Sequence, residues 1–171
     1  ANKALLAHHG TMLAELAETH GVGLMFEAAI AGGIPAVKAL REGLAGNSVK
    51  RVSGILNGTC NYILTRMEKT GEPFDEVLAD AQKLGYAEAE PSLDVDGIDA
   101  AHKLTLLAAI AFAQTPQFDK VAISGIRDVS AVDFAYAAQL GFRIKLVGTA
   151  EPGRMPRMQT CLLPTSMQLA K

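Results

Sequence analysis

The sequence lacks the residues that mark several classes of protein. It has no tryptophan, aromatic residues make up 5% of the chain, and there are two cysteines. Cys60 and Cys161 are far apart and belong to no Cys-x-x-Cys or Cys/His cluster, so neither a disulfide framework nor a structural zinc site is indicated. This pattern fits a reducing compartment, and we expect a cytoplasmic location.

An excess of one charge and a long apolar run are also missing. Lys and Arg number 16 against 18 Asp and Glu, which gives a net charge of -2. Without a basic excess, nucleic acid and anionic membranes are poor candidates for partners, and a small molecule is favoured. The longest apolar run, 104–113, is too short to cross a bilayer. No Gly-x-Gly-x-x-Gly motif follows a predicted strand, so a complete dinucleotide-binding unit is absent from this sequence.

What the sequence does contain is enough for one domain with a core, since 49% of its 171 residues are hydrophobic. Apolar periodicity predicts helices over 3–18, 36–43, 60–68, 73–84 and 131–140 and strands over 22–29, 49–57, 121–127, 142–149 and 158–163. A single α+β domain over 1–171, with a mixed β-sheet covered by helices, follows from this order. The chain begins without methionine inside a predicted helix, and we expect it to be a piece of a larger protein.

The segment from Leu84 to Phe112 holds the densest group of polar residues. Five carboxylates (Glu88, Glu90, Asp94, Asp96 and Asp99) precede a helix that is almost wholly apolar apart from Lys103. On that helix Asp99 and Lys103 share a stripe with Leu106 and Ile110.

Two interpretations of this stripe are open. An Asp-to-Lys pair four residues apart is often a surface salt bridge of small energy. The apolar continuation of the stripe instead favours a pair at the mouth of a cleft. There, desolvation would lower the pKa of Lys103 while Asp99 would raise it, which makes a lysine usable as a proton donor and acceptor.

Two turns are also suited to ligands. The Gly32-Gly33 pair lets backbone atoms approach a ligand or an ion, although a plain turn has the same sequence. Asn57 or Thr59 is expected to cap the following helix, whose free N–H groups can bind an anionic group such as a carboxylate.

Five segments together resemble homoserine dehydrogenases, which interconvert homoserine and aspartate semialdehyde with NAD(P). The segments are Ala1 to Leu6, 26–35, 54–64, 84–104 and 140–150. The resemblance implies the substrate domain of such an enzyme without its Rossmann domain, with a sheet that also forms a homodimer interface. It further implies a cytoplasmic role in threonine and methionine biosynthesis.

The resemblance also implies roles for individual residues. Lys103 would exchange the proton of the substrate hydroxyl, Asp99 would orient that lysine or the substrate, and Lys3 would lie near the nicotinamide. Residues that would contact homoserine are Glu88, Asp94, Gly58, Thr59 and Tyr86. A monovalent cation such as Na⁺ would be held, largely by backbone carbonyls, at Glu27, Ile30, Gly32 and Ile34. The family often has a proline directly after the first acid, where this chain has Ala89.

Two alternatives remain. The chain could be a dimerisation scaffold without catalysis, or a related semialdehyde or sugar-phosphate dehydrogenase with Cys60 as its nucleophile at a helix start. The absence of a basic phosphate-binding cluster argues against the second alternative. The sequence leaves open the choice between NAD and NADP, feedback regulation and fusion to an aspartate kinase. A Gly-x-Gly-x-x-Gly motif roughly a hundred residues upstream is expected for a dehydrogenase.

Overall fold

The computed structural model describes residues 1–171. The chain divides into two units by its internal contacts. The first unit comprises Ala1–Ser53, Ala101–Ala122 and Thr149–Arg157, and the second comprises Gly54–Ala100, Ile123–Gly148 and Met158–Lys171. That the whole range 1–171 acts as one domain stays a prediction.

The structure combines helices with one four-stranded sheet. The helices are α1 (Lys3–Thr19), α2 (Glu27–Ala31), α3 (Ala36–Lys38), α4 (Gly58–Thr70), α5 (Phe74–Lys83), α6 (Ser92–Val95), α7 (Ile98–Ala111) and α8 (Ala131–Gln139). The strands are β1 (Val52–Gly54), β2 (Ala122–Ile123), β3 (Phe142–Ala150) and β4 (Arg157–Pro164). A π-helical turn, Ala39–Gly43, continues α3, and short 3₁₀ turns occupy Phe118–Lys120 and Gln168–Ala170.

The sheet is mixed, with strand order β1-β3-β4-β2. Strands β3 and β4 are neighbours joined by residues 151–156, a connection too short for a parallel crossover, so they are antiparallel. The N–H of Ala122 donates to Pro156 O, and the N–H of Ser124 donates to Met158 O. Because both partners advance by two residues in the same direction, β2 is parallel to β4. The predicted α+β class with a mixed sheet is confirmed.

The strand predicted over 22–29 is wrong. Residues 22–26 lie outside the sheet, and Glu27–Ala31 form α2. The Glu27 carboxylate accepts hydrogen bonds from the N–H groups of Val37 and Lys38, at 2.8 and 2.9 Å, and this contact holds Glu27 in the first turn of a helix rich in alanine. Strands β1 and β2 are also much shorter than predicted, whereas β3, β4 and α8 lie within one or two residues of their predicted bounds.

Helix α4 anchors the second unit through one apolar face. Cys60, Ile63, Leu64 and Met67 follow the three- and four-residue spacing of that face, and each is at most 1% exposed. Burying each of the larger side chains contributes roughly 1.5–3 kcal/mol. The opposite face ends in the exposed Lys69, so α4 has a fixed orientation in its unit.

Polar contacts fix α4 along β3. The side-chain amide of Asn61 donates to Leu146 O at 3.1 Å and accepts from Leu146 N at 3.0 Å, so it pairs with β3 as a neighbouring strand would. The Lys145 ammonium donates to Thr65 Oγ1 at 2.8 Å, and burial lowers the pKa of Lys145. These contacts determine where the first turn of α4 lies within the unit.

Helix α7 is a core helix, as predicted. Ala100, Ala101, Leu104 and Leu106 are at most 3% exposed, although they point in different directions around the axis. Lys103 is only partly buried. No helix is long and apolar enough to span a membrane.

A close backbone approach in the second unit makes one glycine necessary. The N–H of Ile126 donates to Val95 O at 2.9 Å, and a Cβ atom added at Gly125 would lie 2.6 Å from Asp96 Cα. Because backbone atoms cannot move aside cheaply, we expect Gly125→Ala to lower the free energy of unfolding by about 1–3 kcal/mol in urea denaturation. Gly46→Ala is the control, since a Cβ there meets no atom within 4 Å. Equal unfolding midpoints for the two variants would contradict this packing.

Candidate functional site

The first turn of α4 is organised by a buried asparagine. Asn57 is 4% exposed and occupies the N-cap position, where its Oδ1 accepts a hydrogen bond from Cys60 N at 2.8 Å. Of the two predicted caps, Asn57 is therefore the one used. The hydroxyl of Thr59 instead donates to Tyr86 O at 3.0 Å.

The side chain of Asn57 also contacts two of the acids predicted to belong to the site. Asn57 Nδ2 donates to Asp94 Oδ1 at 2.7 Å and approaches Asp99 Oδ2 at 3.4 Å. Asp94 lies in α6 and Asp99 in the first turn of α7. The structure thus brings the carboxylates of Asp94 and Asp99 together at the start of α4.

A third acid of the segment is paired with an arginine. Arg127 Nε donates to Asp96 Oδ1 at 2.5 Å, and Arg127 Nη2 donates to Ser92 Oγ at 3.2 Å. The hydrogen bond to Asp96 raises the pKa of Arg127. These contacts tie both ends of α6 to the loop that follows β2.

The loop after α5 lies against the same helix start. Its path is fixed by Gln82, whose Nε2 donates to Glu88 O at 2.9 Å and lies 3.4 Å from Ala89 O. The rings of Tyr62 and Tyr86 are 4.7 Å apart, and 57% of Tyr86 is exposed. The loop therefore presents Tyr86 and the exposed carboxylate of Glu88 to solvent.

Cys60 has the environment of a structural thiol. Its side chain is fully buried, and Sγ donates to Asp94 O at 3.0 Å. Burial, followed by the charges of Asp94, Asp99 and Asp96, raises the pKa of Cys60 to about 12. The thiol is therefore protonated at neutral pH, which disfavours its use as a nucleophile.

The remaining predicted residues belong to the first unit. Lys3 lies in the first turn of α1 and Lys103 in α7, one turn after Asp99, and both lysines are partly buried. The carbonyl groups of Glu27 and Ile30 belong to α2, and Gly32 ends that helix with φ 60°. Ile34 follows, and its carbonyl accepts from Ala36 N at 2.8 Å.

The ligand atoms available at the turn after α2 are suited to a monovalent cation. The carboxylate of Glu27 accepts hydrogen bonds from two backbone N–H groups, so a cation at this turn would depend on main-chain carbonyls. No group of three or more His, Cys, Asp or Glu side chains is placed to hold a metal ion. Backbone carbonyls are neutral hard ligands, which fit a monovalent cation better than a transition metal.

Sequence reasoning missed three supporting residues. Asn57 was recognised only as a possible cap, because its contacts with Asp94 and Asp99 join positions 37 and 42 residues away. Arg127 is 31 residues from Asp96, and nothing local marks it as a partner. Gln82 had a weak signal only in its closeness to the acidic loop.

Comparison with known proteins identifies relatives over almost the whole chain. A family model described as homoserine dehydrogenase matches residues 35–171. The homoserine dehydrogenase of Pseudomonas aeruginosa is 51% identical over 99% of this chain and 40% of its own length. That of Synechocystis is 54% identical over 88% of this chain and 35% of its own length. The chain therefore spans about two fifths of the curated relatives it matches.

Solved structures of homoserine dehydrogenases agree with the family model and the curated relatives. A homoserine dehydrogenase from Thiobacillus denitrificans superposes with a TM-score of 0.97 at 47% identity, over 99% of this chain and 40% of that one. A hyperthermophilic archaeal homoserine dehydrogenase mutant in complex with NADPH has a TM-score of 0.85 at 30% identity, over 100% of this chain and 50% of that one. With the same fold, the family model and these identities in agreement, the chain belongs to the homoserine dehydrogenase family.

Proposed function

We propose that this chain supplies the substrate-binding and proton-transfer part of an enzyme that interconverts L-homoserine and L-aspartate 4-semialdehyde with NAD(P). The observation that carries the proposal is the pair of carboxylates, Asp94 and Asp99, joined by Asn57 at the start of α4. In that setting the enzyme would serve threonine and methionine biosynthesis in the cytoplasm.

Homoserine carries an ammonium group and a carboxylate, and the second unit offers a partner for each. Asp94 and the exposed Glu88 would bind the ammonium group through charge-assisted hydrogen bonds. The N–H groups of Gly58 and Thr59 belong to the first turn of α4. At this end of the helix, the helix dipole would favour the substrate carboxylate. A Cβ at Gly58 would meet no atom within 4 Å, so the space beside this turn is open to a ligand. Tyr86 would border the same space.

Proton transfer is assigned to Lys103. Its amine would take the proton of the substrate hydroxyl during oxidation and return it during reduction, while Asp99 orients the amine or the substrate. NAD(P), when bound, supplies or accepts the hydride. Lys3 would lie beside the nicotinamide and the substrate, and it is the residue of this chain proposed to reach the cofactor.

Removal of the Lys103 amine tests this assignment. In the complete encoded polypeptide, we expect Lys103→Ala to lower kcat about a hundredfold to ten-thousandfold, because the hydroxyl proton loses its acceptor. Steady-state oxidation of homoserine is the measurement. Lys69→Ala, on the exposed side of α4, is the matched control.

Turnover of homoserine, together with calorimetry, distinguishes this function from a cysteine-dependent dehydrogenase and from a non-catalytic scaffold. Cys60→Ser keeps a hydrogen-bond donor toward Asp94 O, and we expect it to retain activity; loss of activity in Cys60→Ser but not in Lys103→Ala would favour a cysteine nucleophile. A wild-type protein that forms dimers but shows neither turnover nor a homoserine-induced shift in calorimetry would favour the scaffold.

We also propose a monovalent cation at the turn after α2, bound by the carbonyls of Glu27, Ile30, Gly32 and Ile34. Support comes from the position of Ile30 and Gly32 at the C-terminal end of α2, where main-chain carbonyls are exposed to ligands, and from the engaged carboxylate of Glu27. Gly32 has φ 60° and ψ −117°, a conformation that a side chain disfavours.

Cation binding should raise thermal stability. At equal ionic strength, we expect Na⁺ or K⁺ to raise the unfolding temperature above that in tetramethylammonium chloride, since a ligand in hundredfold excess over its Kd adds about 2.7 kcal/mol. Gly32→Ala should reduce this difference, and Gly46→Ala should leave it unchanged. Identical melting curves in all three salts would contradict the site.

The homodimer proposal rests on an apolar surface in the second unit. Val132 and Tyr136 of α8 and Leu140, which directly follows that helix, are spaced four residues apart, and each is at least 60% exposed. Leu162 of β4 is 55% exposed and lines a surface groove together with Tyr136 and Leu140. A patch of this kind favours contact with another protein surface, and a two-fold dimer would pair it with its own copy.

Charge placed on this stripe should break the dimer. We expect Tyr136→Glu combined with Leu140→Glu to convert the wild-type dimer into monomer in sedimentation velocity, because two buried carboxylates would lack partners. Met155→Glu changes an exposed apolar residue of the first unit and should leave the dimer intact. A monomeric wild type, or a dimer that survives the double change, would exclude this interface.

A further inference from the structure

Asn57 makes four polar contacts within the second unit. Its Oδ1 accepts from Cys60 N at 2.8 Å, and its backbone carbonyl accepts from Asn61 Nδ2 at 3.0 Å. Its Nδ2 donates to Asp94 Oδ1 at 2.7 Å and lies 3.4 Å from Asp99 Oδ2. With 4% of its surface exposed, the residue leaves little room for water to replace these partners.

The helix start fixes which way the amide faces. An N–H group of α4 requires an acceptor, so Oδ1 must point toward Cys60 N. Nδ2 then points toward the two carboxylates, where the opposite orientation would place a carbonyl oxygen against two anions. The cap and the carboxylate contacts therefore support each other.

A neutral donor at this position has a chemical advantage. Asp96 already has a cation, Arg127, at 2.5 Å. A second cation between Asp94 and Asp99 would cancel the charge that attracts an ammonium group. An amide instead stabilises and orients both carboxylates and leaves their charge in place.

We propose that Asn57 is a positioning residue that holds the carboxylates of Asp94 and Asp99 in alignment for the amino-acid substrate. The proposal rests on the proposed function, and Asn57 itself touches neither the substrate nor the cofactor. Its effect is exerted through the two acids.

Two substitutions separate this role from helix capping. Asn57→Ser and Asn57→Asp both keep a good N-cap residue, so α4 retains an acceptor for Cys60 N. Asn57→Ser removes the amide donor that reaches the acids, and Asn57→Asp replaces that donor with a third carboxylate. Both variants are made in the complete encoded polypeptide, together with the cap exchange Ser130→Asn on α8, which lies outside the site.

The expected changes are specific. Asn57→Ser should raise KM for homoserine about tenfold to a hundredfold, the equivalent of one hydrogen bond to a charged group. In Asn57→Asp, repulsion raises the pKa values of the acids, so the carboxylates lose their charge at a higher pH as the solution is acidified. The acidic limb of the plot of log kcat/KM against pH should therefore move to a higher pH by about one unit. Ser130→Asn should change neither quantity.

Unchanged KM and pH profiles in both Asn57 variants, with wild-type turnover intact, would overturn the positioning role alone. A wild type that neither binds nor oxidises homoserine would instead overturn the proposed function. A change in the unfolding midpoint without a change in KM or in the acidic limb would assign Asn57 to structure only.

A measurement on the wild-type protein tests the proposal even if the Asn57 variants do not fold. The Nδ2 protons of Asn57 should shift in NMR spectra when homoserine is added, because the contacting carboxylate of Asp94 is proposed to bind its ammonium group. Resonances that stay fixed at saturating homoserine would overturn the proposal.

Discussion

Two carboxylates of like charge converge on one buried amide, and the second unit is arranged around that contact. Asp94 and Asp99 would repel each other, and each would be costly to desolvate without a donor. The side chain of Asn57 supplies the donor, while its oxygen completes the first turn of α4. One residue therefore links the stability of a helix to the position of the two acids.

The position of Asn57 depends in turn on how α4 is held. The apolar face from Cys60 to Met67 is buried, and the Asn61 amide pairs with the backbone of β3 at Leu146. The close approach of Gly125 to the turn after α6 and the ion pair between Asp96 and Arg127 hold the acidic segment from its other side. The geometry of the Asp94 and Asp99 pair thus depends on ordinary packing several residues away from the acids.

Prediction from sequence succeeded where a signal was local. Helices α4, α7 and α8 carry apolar residues at helical spacing, and β3 and β4 are long strands joined by a short turn, so each could be predicted from its own residues. The strand predicted over 22–29 failed because its outcome depends on the Glu27 carboxylate and two N–H groups ten and eleven residues away. β1 and β2 were predicted too long because the pairing of each with its neighbour ends after three and two residues, and no local pattern specifies where that pairing ends.

By itself, the sequence determined the class of fold, the acidic segment before a core helix, and the resemblance that the relatives confirm. The reason is that periodicity, caps and motifs are encoded over a few neighbouring residues. Only the tertiary structure decided that Asn57, and not Thr59, caps α4, that one amide joins Asp94 to Asp99, and that Cys60 is a buried, protonated thiol. The amide and thiol contacts join groups about 30 to 40 residues apart, and the Thr59 hydroxyl is engaged by Tyr86 O, 27 residues away. No local pattern specifies such meetings in space.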